Sequence, residues 1–463
     1  MQPENLKFGG GATETVLHPA VLVALLCAIV LILLLRRRHA IVPVLLMAFL
    51  VPLGQQVVVG GVHVFVLRIV LFVGLLRMLF SMFFSQAHVF SGGVNSLDKV
   101  FTLWALFHVI AFLFLFSFQR AALVNQFGFL WDAMGGFLLL RFLIQDQEDI
   151  DRVVRTFAWI AGILALGMLN EHFRMQNVFG LLGGVLTVPE TRDGLVRAQG
   201  TFSHPLLAGT FGATLLPLFL LLWHSGKSKA IAALGVLSAT IMTLCAASST
   251  PVLAYAAAIG AVCFWPFRKH MRLLRWGIVF ALLALHVVMK APVWFLINRI
   301  AVLGASSGDH RAYLVDLFIR HIGDWWLVGT NANGNWGWDM WDTSNQYVAE
   351  GESGGLVVFV CFLAMISLCF RRIGNARKAV EGDRGKEWCF WFLGAALFAH
   401  IVAFFGISYF DQTRVAWFAL MAMILAATGP VLAAKAQPDW QPAGSPLASS
   451  RLAYPFSISR HER

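Results

Sequence analysis

Residues 292–353 read PVWFLINRIAVLGASSGDHRAYLVDLFIRHIGDWWLVGTNANGNWGWDMWDTSNQYVAEGES. They form a polar island in an otherwise lipid-soluble chain. The island carries Arg299, His310, Arg311, Arg320 and His321, seven carboxylates and six of the sixteen tryptophans, with apolar runs at 276–291 and 354–370 on either side. A charged connection of this length is longer than a compact bundle needs, which points to function in the loop itself.

Working outward, the whole chain of 463 residues is 59% hydrophobic and 13% charged, far from a soluble average. Apolar runs of roughly 17–25 residues recur, each long enough to cross a hydrocarbon core of ~30 Å. Thirteen such spans are expected, near 16–35, 41–58, 63–83, 100–117, 127–145, 155–170, 203–223, 230–247, 251–267, 276–291, 354–370, 388–407 and 414–434, within a range of 12 to 14. Gly54, Gln55 and Gln56 interrupt the second and third. The fold class expected is therefore all-α, a polytopic transmembrane bundle with one large extracytoplasmic loop that contains an amphipathic helix. Its divisions are a bundle at 1–291 with a short island at 171–202, the loop at 292–353, further spans at 354–434, and a disordered, Pro- and Ser-rich cytoplasmic tail at 435–463.

The net charge of +11 calls for no nucleic acid. Basic clusters follow alternate spans: Arg36 to Arg38; Lys227 and Lys229; Arg268, Lys269, Arg272 and Arg275; and Arg371 through Lys386. The loops at 54–62, 248–250 and 408–413 have no Lys or Arg. Positive loops stay cytoplasmic, so both islands are expected on the far side, with the N-terminus outside and the tail inside. All six cysteines lie in or beside spans without metal-like spacing, so neither a disulfide framework nor zinc is indicated.

Ionisable residues inside spans are costly and are candidate sites. Arg68 and Asp132 are placed at similar depth, roughly 8 Å from the outer surface at ~1.5 Å per residue. They serve either as an orienting ion pair or in a shared water-filled cavity. His108, His286 and His400 read as packed histidines.

In the first island, Arg197 precedes Gly200-Thr201-Phe202-Ser203-His204-Pro205. Pro205 suits the first turn of a helix and Ser203 suits its N-cap. An arginine beside free N–H groups at a helix start makes an anion site, or it simply touches lipid headgroups. In the second island, Ser306-Ser307-Gly308-Asp309-His310-Arg311 opens an amphipathic run at 312–322. The tryptophans after it, Trp326 and Trp338 among them, suit stacking on sugar faces as well as an interfacial belt. Asp342 and Glu352 are carboxylates able to act as bases or as solvated caps.

With these residues in view, the chain resembles the O-antigen ligase and O-antigen polymerase family of bacterial envelopes over about 150–370. Arg197 with Gly200-Thr201-Phe202, then Arg311 with its helix, then Trp326-Leu327-Val328-Gly329, then Ser344-Asn345-Gln346-Tyr347 and Glu352-Ser353-Gly354 are similar to that family's motifs in order and spacing. The resemblance implies a metal-independent, cofactor-free glycosyltransferase of the bacterial inner membrane. Its donor would be an undecaprenyl-diphosphate-linked oligosaccharide. Membrane lipid and other polysaccharide-assembly proteins are the expected partners. Arg197 and Arg311 would hold the diphosphate, and Asp342, His310 or Glu352 would take over the acceptor-handling role. His204, His310, Arg320, Trp326, Trp338, Ser344, Asn345 and Tyr347 would bind substrate, joined by Arg68 and Asp132, which the depth of their charges in the spans adds. Ser344 stands where the family's ligases have a histidine, and serine is a poor base near neutral pH, which favours a polymerase-like member. A flippase or exporter of lipid-linked saccharides is the alternative, although no internal repeat is visible; a non-catalytic envelope assembly subunit is another.

Overall fold

A computed structural model describes residues 15–84, 89–297 and 306–436. Arg299 and the tail from 437 lie outside the described residues. The architecture is a mostly helical bundle of the multi-pass membrane type. Among the described residues, nine helices are long and apolar enough to cross a membrane. These are α3 (Val66–Phe84), α4 (Ser96–Leu115), α5 (Arg120–Leu130) and α6 (Gly136–Leu143) taken together, α7 (Gln147–Arg174), α8 (Pro205–His224), α11 (Met271–Val288), α13 (Gln346–Ala379), α14 (Arg384–Phe404) and α15 (Gln412–Ala436). Three shorter apolar helices accompany them: α1 (Pro19–Leu34), α9 (Lys229–Cys245) and α10 (Ser249–Cys263). Helix α12 (Ser306–Arg320) opens the described part of the large loop.

The second expected span is corrected. Helix α2 covers only Arg37–Leu50, 14 residues or about 21 Å at ~1.5 Å per residue, too short for a ~30 Å core. Beyond it the chain turns into a hairpin, β1 (Gln56–Val59) against β2 (Val62–Phe65), joined through Gly60 and Gly61 at positive φ. A run rich in β-branched residues around two glycines meets the needs of a tight hairpin turn. Past the end of the helix, the backbone groups of 56–59 and 62–65 are paired across the two strands. A second hairpin, β3 (Glu190–Arg192) against β4 (Leu195–Arg197), stands in the first island.

Helices α8 and α15 are buried nearly all round, as central helices must be. Small residues let their neighbours approach: Gly209 packs against Ala246 and Pro251, Gly212 against Met242, and Gly235 against Phe219. Peripheral helices instead show apolar side chains outward, as Leu22, Val23 and Leu26 do on α1. No residue of α11 is buried.

The basic clusters collect at one end, where they are paired. Arg37 and Arg152 share Asp149, at 2.9 and 2.7 Å, and Arg268 reaches Glu387 at 3.2 Å. Both polar islands meet at the opposite end, called the island end below. All six cysteines are free thiols.

Helix α13 breaks at Gly355, whose φ of 71° and ψ of −167° leave the helical region. A kink frees backbone groups that must find partners. The loop supplies them: Trp326 carbonyl accepts from Leu356 N at 2.8 Å, and Thr330 N donates to Glu352 carbonyl at 2.7 Å. Segment 326–330 is thereby zipped into the kink. Gly329 is required there, because a Cβ on it would stand 2.1 Å from the Glu352 carbonyl oxygen.

Candidate functional site

Arg197 closes β4, where cross-strand register puts it opposite Glu190, and its Nη1 donates to Glu190 Oε2 at 3.2 Å. It is 7% exposed and its Nε–H has no partner. The turn that follows is anchored from several elements. Glu171, near the end of α7, accepts from Gln199 N at 3.1 Å and Gly200 N at 2.9 Å. Asn177 donates to Gly200 carbonyl at 2.8 Å, and Thr201 donates to Phe49 carbonyl at 2.6 Å. Arg197 is therefore held by a rigid turn, which suits a group that must not reorganise when its ligand arrives.

The expected cap shifts by one residue. His204, not Ser203, caps α8, with Nδ1 accepting from Leu206 N at 3.1 Å, while Ser203 donates to Asp411. Pro205 occupies the first helical position, which sets the cap at 204. Pro205 has no N–H, Leu206 N is capped, and Leu207 N and Ala208 N both reach the His204 carbonyl. The free backbone donors expected at this helix start are thus already occupied, so an anion here has to be held by side chains. With Nδ1 accepting, the neutral imidazole carries its proton on Nε2 and is a donor. Burial first, and then Arg197, hold the His204 pKa below its usual value, which keeps it neutral.

Arg311 comes from α12, 114 positions further along the chain, and faces the same place. It is also 7% exposed, and its Nε–H has no partner. Burial first, then Arg192, push its pKa down to about 10, against Asp342, which raises it; Arg197 also lowers it. Burial likewise lowers Arg197, with Glu190 opposing and Arg192 adding. His204 feels Arg197, Glu190 and Asp342. These mutual influences bring Arg192, Arg197, Arg311, His204 and Asp342 into one electrostatic neighbourhood with an excess of positive charge.

The Asp342 side chain is exposed, and its carbonyl accepts from His310 Nε2 at 3.0 Å and from Ser344 N at 3.0 Å. A carbonyl only accepts, so His310 has its proton on Nε2 and, when neutral, an open lone pair on Nδ1. Glu352 is buried just before the kink. It accepts from Thr343 Oγ1 at 2.6 Å and Asn333 Nδ2 at 3.2 Å, and its Oε1 has no partner.

Other expected site residues lie apart or have structural partners. Asn345 caps α13, accepting from Tyr347 N at 2.9 Å and Val348 N at 3.2 Å. Tyr347 donates to Ile401 carbonyl at 3.2 Å among Phe362, Phe404 and Phe405. Arg320 pairs one turn back with Asp316 at 2.8 Å, and no described contact joins it to the two arginines. Trp326 is half exposed and Trp338 is 91% exposed. Ser344 is half-buried in the turn before the cap.

Arg68 and Asp132 do pair, with Nε at 3.0 and 3.1 Å and Nη2 at 2.8 Å from the carboxylate. They also line a cavity. Asp132 sits in a π-helical turn, Trp131–Gly135, between α5 (Arg120–Leu130) and α6 (Gly136–Leu143), an irregularity that tends to mark functional positions.

Glu171, Glu190, Asn333 and Asp411 escaped the sequence reading, and Arg192 and Thr343 were placed in the islands without a role. Glu171, Glu190 and Arg192 stand within the first island, where charge beside a membrane was the available signal. The roles of the others depend on tertiary contacts. Among the described residues no group of His, Cys, Asp and Glu is arranged to hold a metal. No known protein family, curated protein or solved structure matches this chain.

Proposed function

We propose that the island end transfers a saccharide from a polyprenyl diphosphate to an acceptor hydroxyl, as the resemblance to O-antigen polymerases and ligases implies. The observation that carries this reading is the pair of buried arginines from separate islands, each with an unpartnered Nε–H, beside the Nε2–H of His204. A buried guanidinium with open donors is costly alone and is relieved by an oxyanion. A diphosphate fits both arginines, and its charge rises as the glycosidic bond breaks.

In the step proposed, the acceptor oxygen bonds to the anomeric carbon while the bond from that carbon to the phosphate oxygen breaks. The electron pair leaves on the diphosphate, held by Arg197, Arg311 and His204. The acceptor proton passes to the Asp342 carboxylate or to His310 Nδ1, groups that take the place of a histidine at Ser344. Inversion at the anomeric carbon follows from a single displacement. Glu352, tied to Thr343 and Asn333, positions the strand that carries Asp342. A polymerase-like reaction is favoured over ligation. The setting proposed is the bacterial inner membrane, with the island end facing the periplasm or exterior and the basic end in the cytoplasm.

The test uses purified protein in liposomes with an undecaprenyl-diphosphate oligosaccharide, comparing wild type with Arg197→Ala and Arg311→Ala. A ladder of longer lipid-linked chains, lost in both variants and indifferent to EDTA, supports the reading. Transfer onto a different lipid converts it to ligation. Sugar that crosses the membrane without transfer overturns the enzyme in favour of a transporter.

A further inference from the structure

A cavity of about 1370 Å³ lies at the island end between α3, α5, α6 and α15. Leu71, Leu139 and Leu140 belong to its aliphatic wall, while Arg68, Arg120 and Arg414 bring three guanidinium groups to it. Two carboxylates face them. Asp132 is committed to Arg68 by a bidentate bond. That crossing is possible because Gly128 has no side chain; a Cβ there would stand 2.6 Å from Arg68 Nη2. Asp411 takes the hydroxyl of Ser203. Arg414 gives its Nε to the Tyr409 carbonyl at 2.9 Å and lies over the Phe129 ring. Among the described residues neither Arg414 nor Arg120 has a carboxylate within ion-pair distance. The cavity thus carries a surplus of positive charge with donors to spare, above a wall that offers an anion nothing.

It also adjoins the elements that carry the two buried arginines. Asp411, on its wall, holds the residue next to His204. Asn331, also on its wall, is two positions from Asn333, which holds Glu352.

The geometry points to a second anion site in this cavity, separate from Arg197 and Arg311, that takes the phosphate or carboxylate of the second substrate on Arg120 and Arg414. The inference rests on the two-substrate reading given above. The same oxyanion chemistry is offered by a lipid headgroup, whose chain would run along Leu71, Leu139 and Leu140, and by an acidic sugar lying across Asn125 and Asn331. Arg68, pinned by Asp132, shapes the rim and is not an open donor.

The experiment measures binding, so it needs no turnover. Protein in nanodiscs of zwitterionic lipid is titrated with two probes, a soluble oligogalacturonate and a short polyprenyl monophosphate. Each is measured with wild type, Arg120→Gln, Arg120→Gln/Arg414→Gln and Arg197→Gln/Arg311→Gln. At least one probe should bind wild type and lose about 10- to 100-fold in affinity in the Arg120/Arg414 double variant, as expected when charge-assisted hydrogen bonds go. The Arg197/Arg311 variant should lose far less for that probe. Whichever probe responds names the source of the anion. Arg120 is exposed, so its single variant should fold normally and show a partial loss even if the double variant does not fold. Binding of neither probe, or loss confined to the Arg197/Arg311 variant, overturns the second site. Failure of the transfer assay with Arg120-dependent binding intact would remove the proposed reaction and leave this site standing.

Discussion

Arg141 and Arg311 are both buried, at 1% and 7% exposure, yet they stand in opposite chemical situations. Arg141, at the basic end, has its whole guanidinium engaged. Asp98 is at 3.0 and 3.2 Å, and the carbonyls of Ser91 and Gly93 take the remaining donors. Arg311, at the island end, keeps Nε–H unpartnered and forms no ion pair among the described residues. A saturated buried arginine is part of the architecture. An unsaturated one costs stability, and such a cost is tolerated where a ligand removes it.

The comparison breaks if the two positions respond alike. Arg141→Ala leaves Asp98 charged and unpaired, and should lose about 3–5 kcal/mol of stability, read as a large fall in thermal midpoint in detergent. Arg311→Met should do the reverse: an unchanged or higher midpoint, with transfer reduced by about 10²–10³-fold, the scale for losing one preorganised donor to developing charge. A fall in midpoint for Arg311→Met as large as for Arg141→Ala would make both arginines architectural.

Gly329→Ala tests the scaffold between these extremes. Its φ of 88° and the Glu352 carbonyl leave no room for a methyl group, so about 1–3 kcal/mol should be lost. Activity should fall with it if the loop positions Asp342.

Asp411 sharpens the comparison through pH. Burial pushes its pKa up to about 6, against the pull of Arg414. The raised value means the folded state holds this proton more tightly than the unfolded state. The site is therefore most favourable in acid and loses that advantage as pH rises through about 6. Asp411→Asn, tolerated at a φ of 55°, should be more stable than wild type at pH 7.5, and the gap should narrow below pH 6 and close only as pH falls to the ordinary aspartate value of 3.8. A gap independent of pH would mean that Asp411 is not the titrating group. The smallest effect is expected for Trp338→Ala, within about 0.5 kcal/mol in stability because the ring is exposed; a raised KM for saccharide there would mark it as a stacking platform.

The helical bundle was legible because lipid imposes it: runs of Leu, Val, Phe and Ala that long leave few alternatives to helix. The same bias ran the expected spans into 56–58 and 63–65, where the strands lie. Val57, Val58, Val62 and Val64 are as apolar as any span, and the hairpin signal lay in Gly60-Gly61 between β-branched residues. The cap was misplaced by one residue because Ser203 is the better generic cap, while Pro205 at the first helical position selects His204. Arg197 and Arg311 stood out as charges beside helix starts. Their convergence depends on how two islands fold together, which local pattern does not encode. Asp411 meets Ser203 across 208 positions, and Glu171 reaches the turn at Gln199 and Gly200, a partner that its charge beside the membrane does not specify.

The joint between 326–330 and the break in α13 is made by backbone atoms alone. Trp326 and Thr330 contribute a carbonyl and an N–H that any residue with those groups could supply, whereas Gly329 and Gly355 contribute the absence of a side chain. Saturation mutagenesis across this joint should therefore give a sharply uneven profile, with broad tolerance at 326 to 328 and almost none at Gly329 and Gly355. The loop can accordingly drift in chemistry, acquiring new exposed side chains, without losing its seat on the helix.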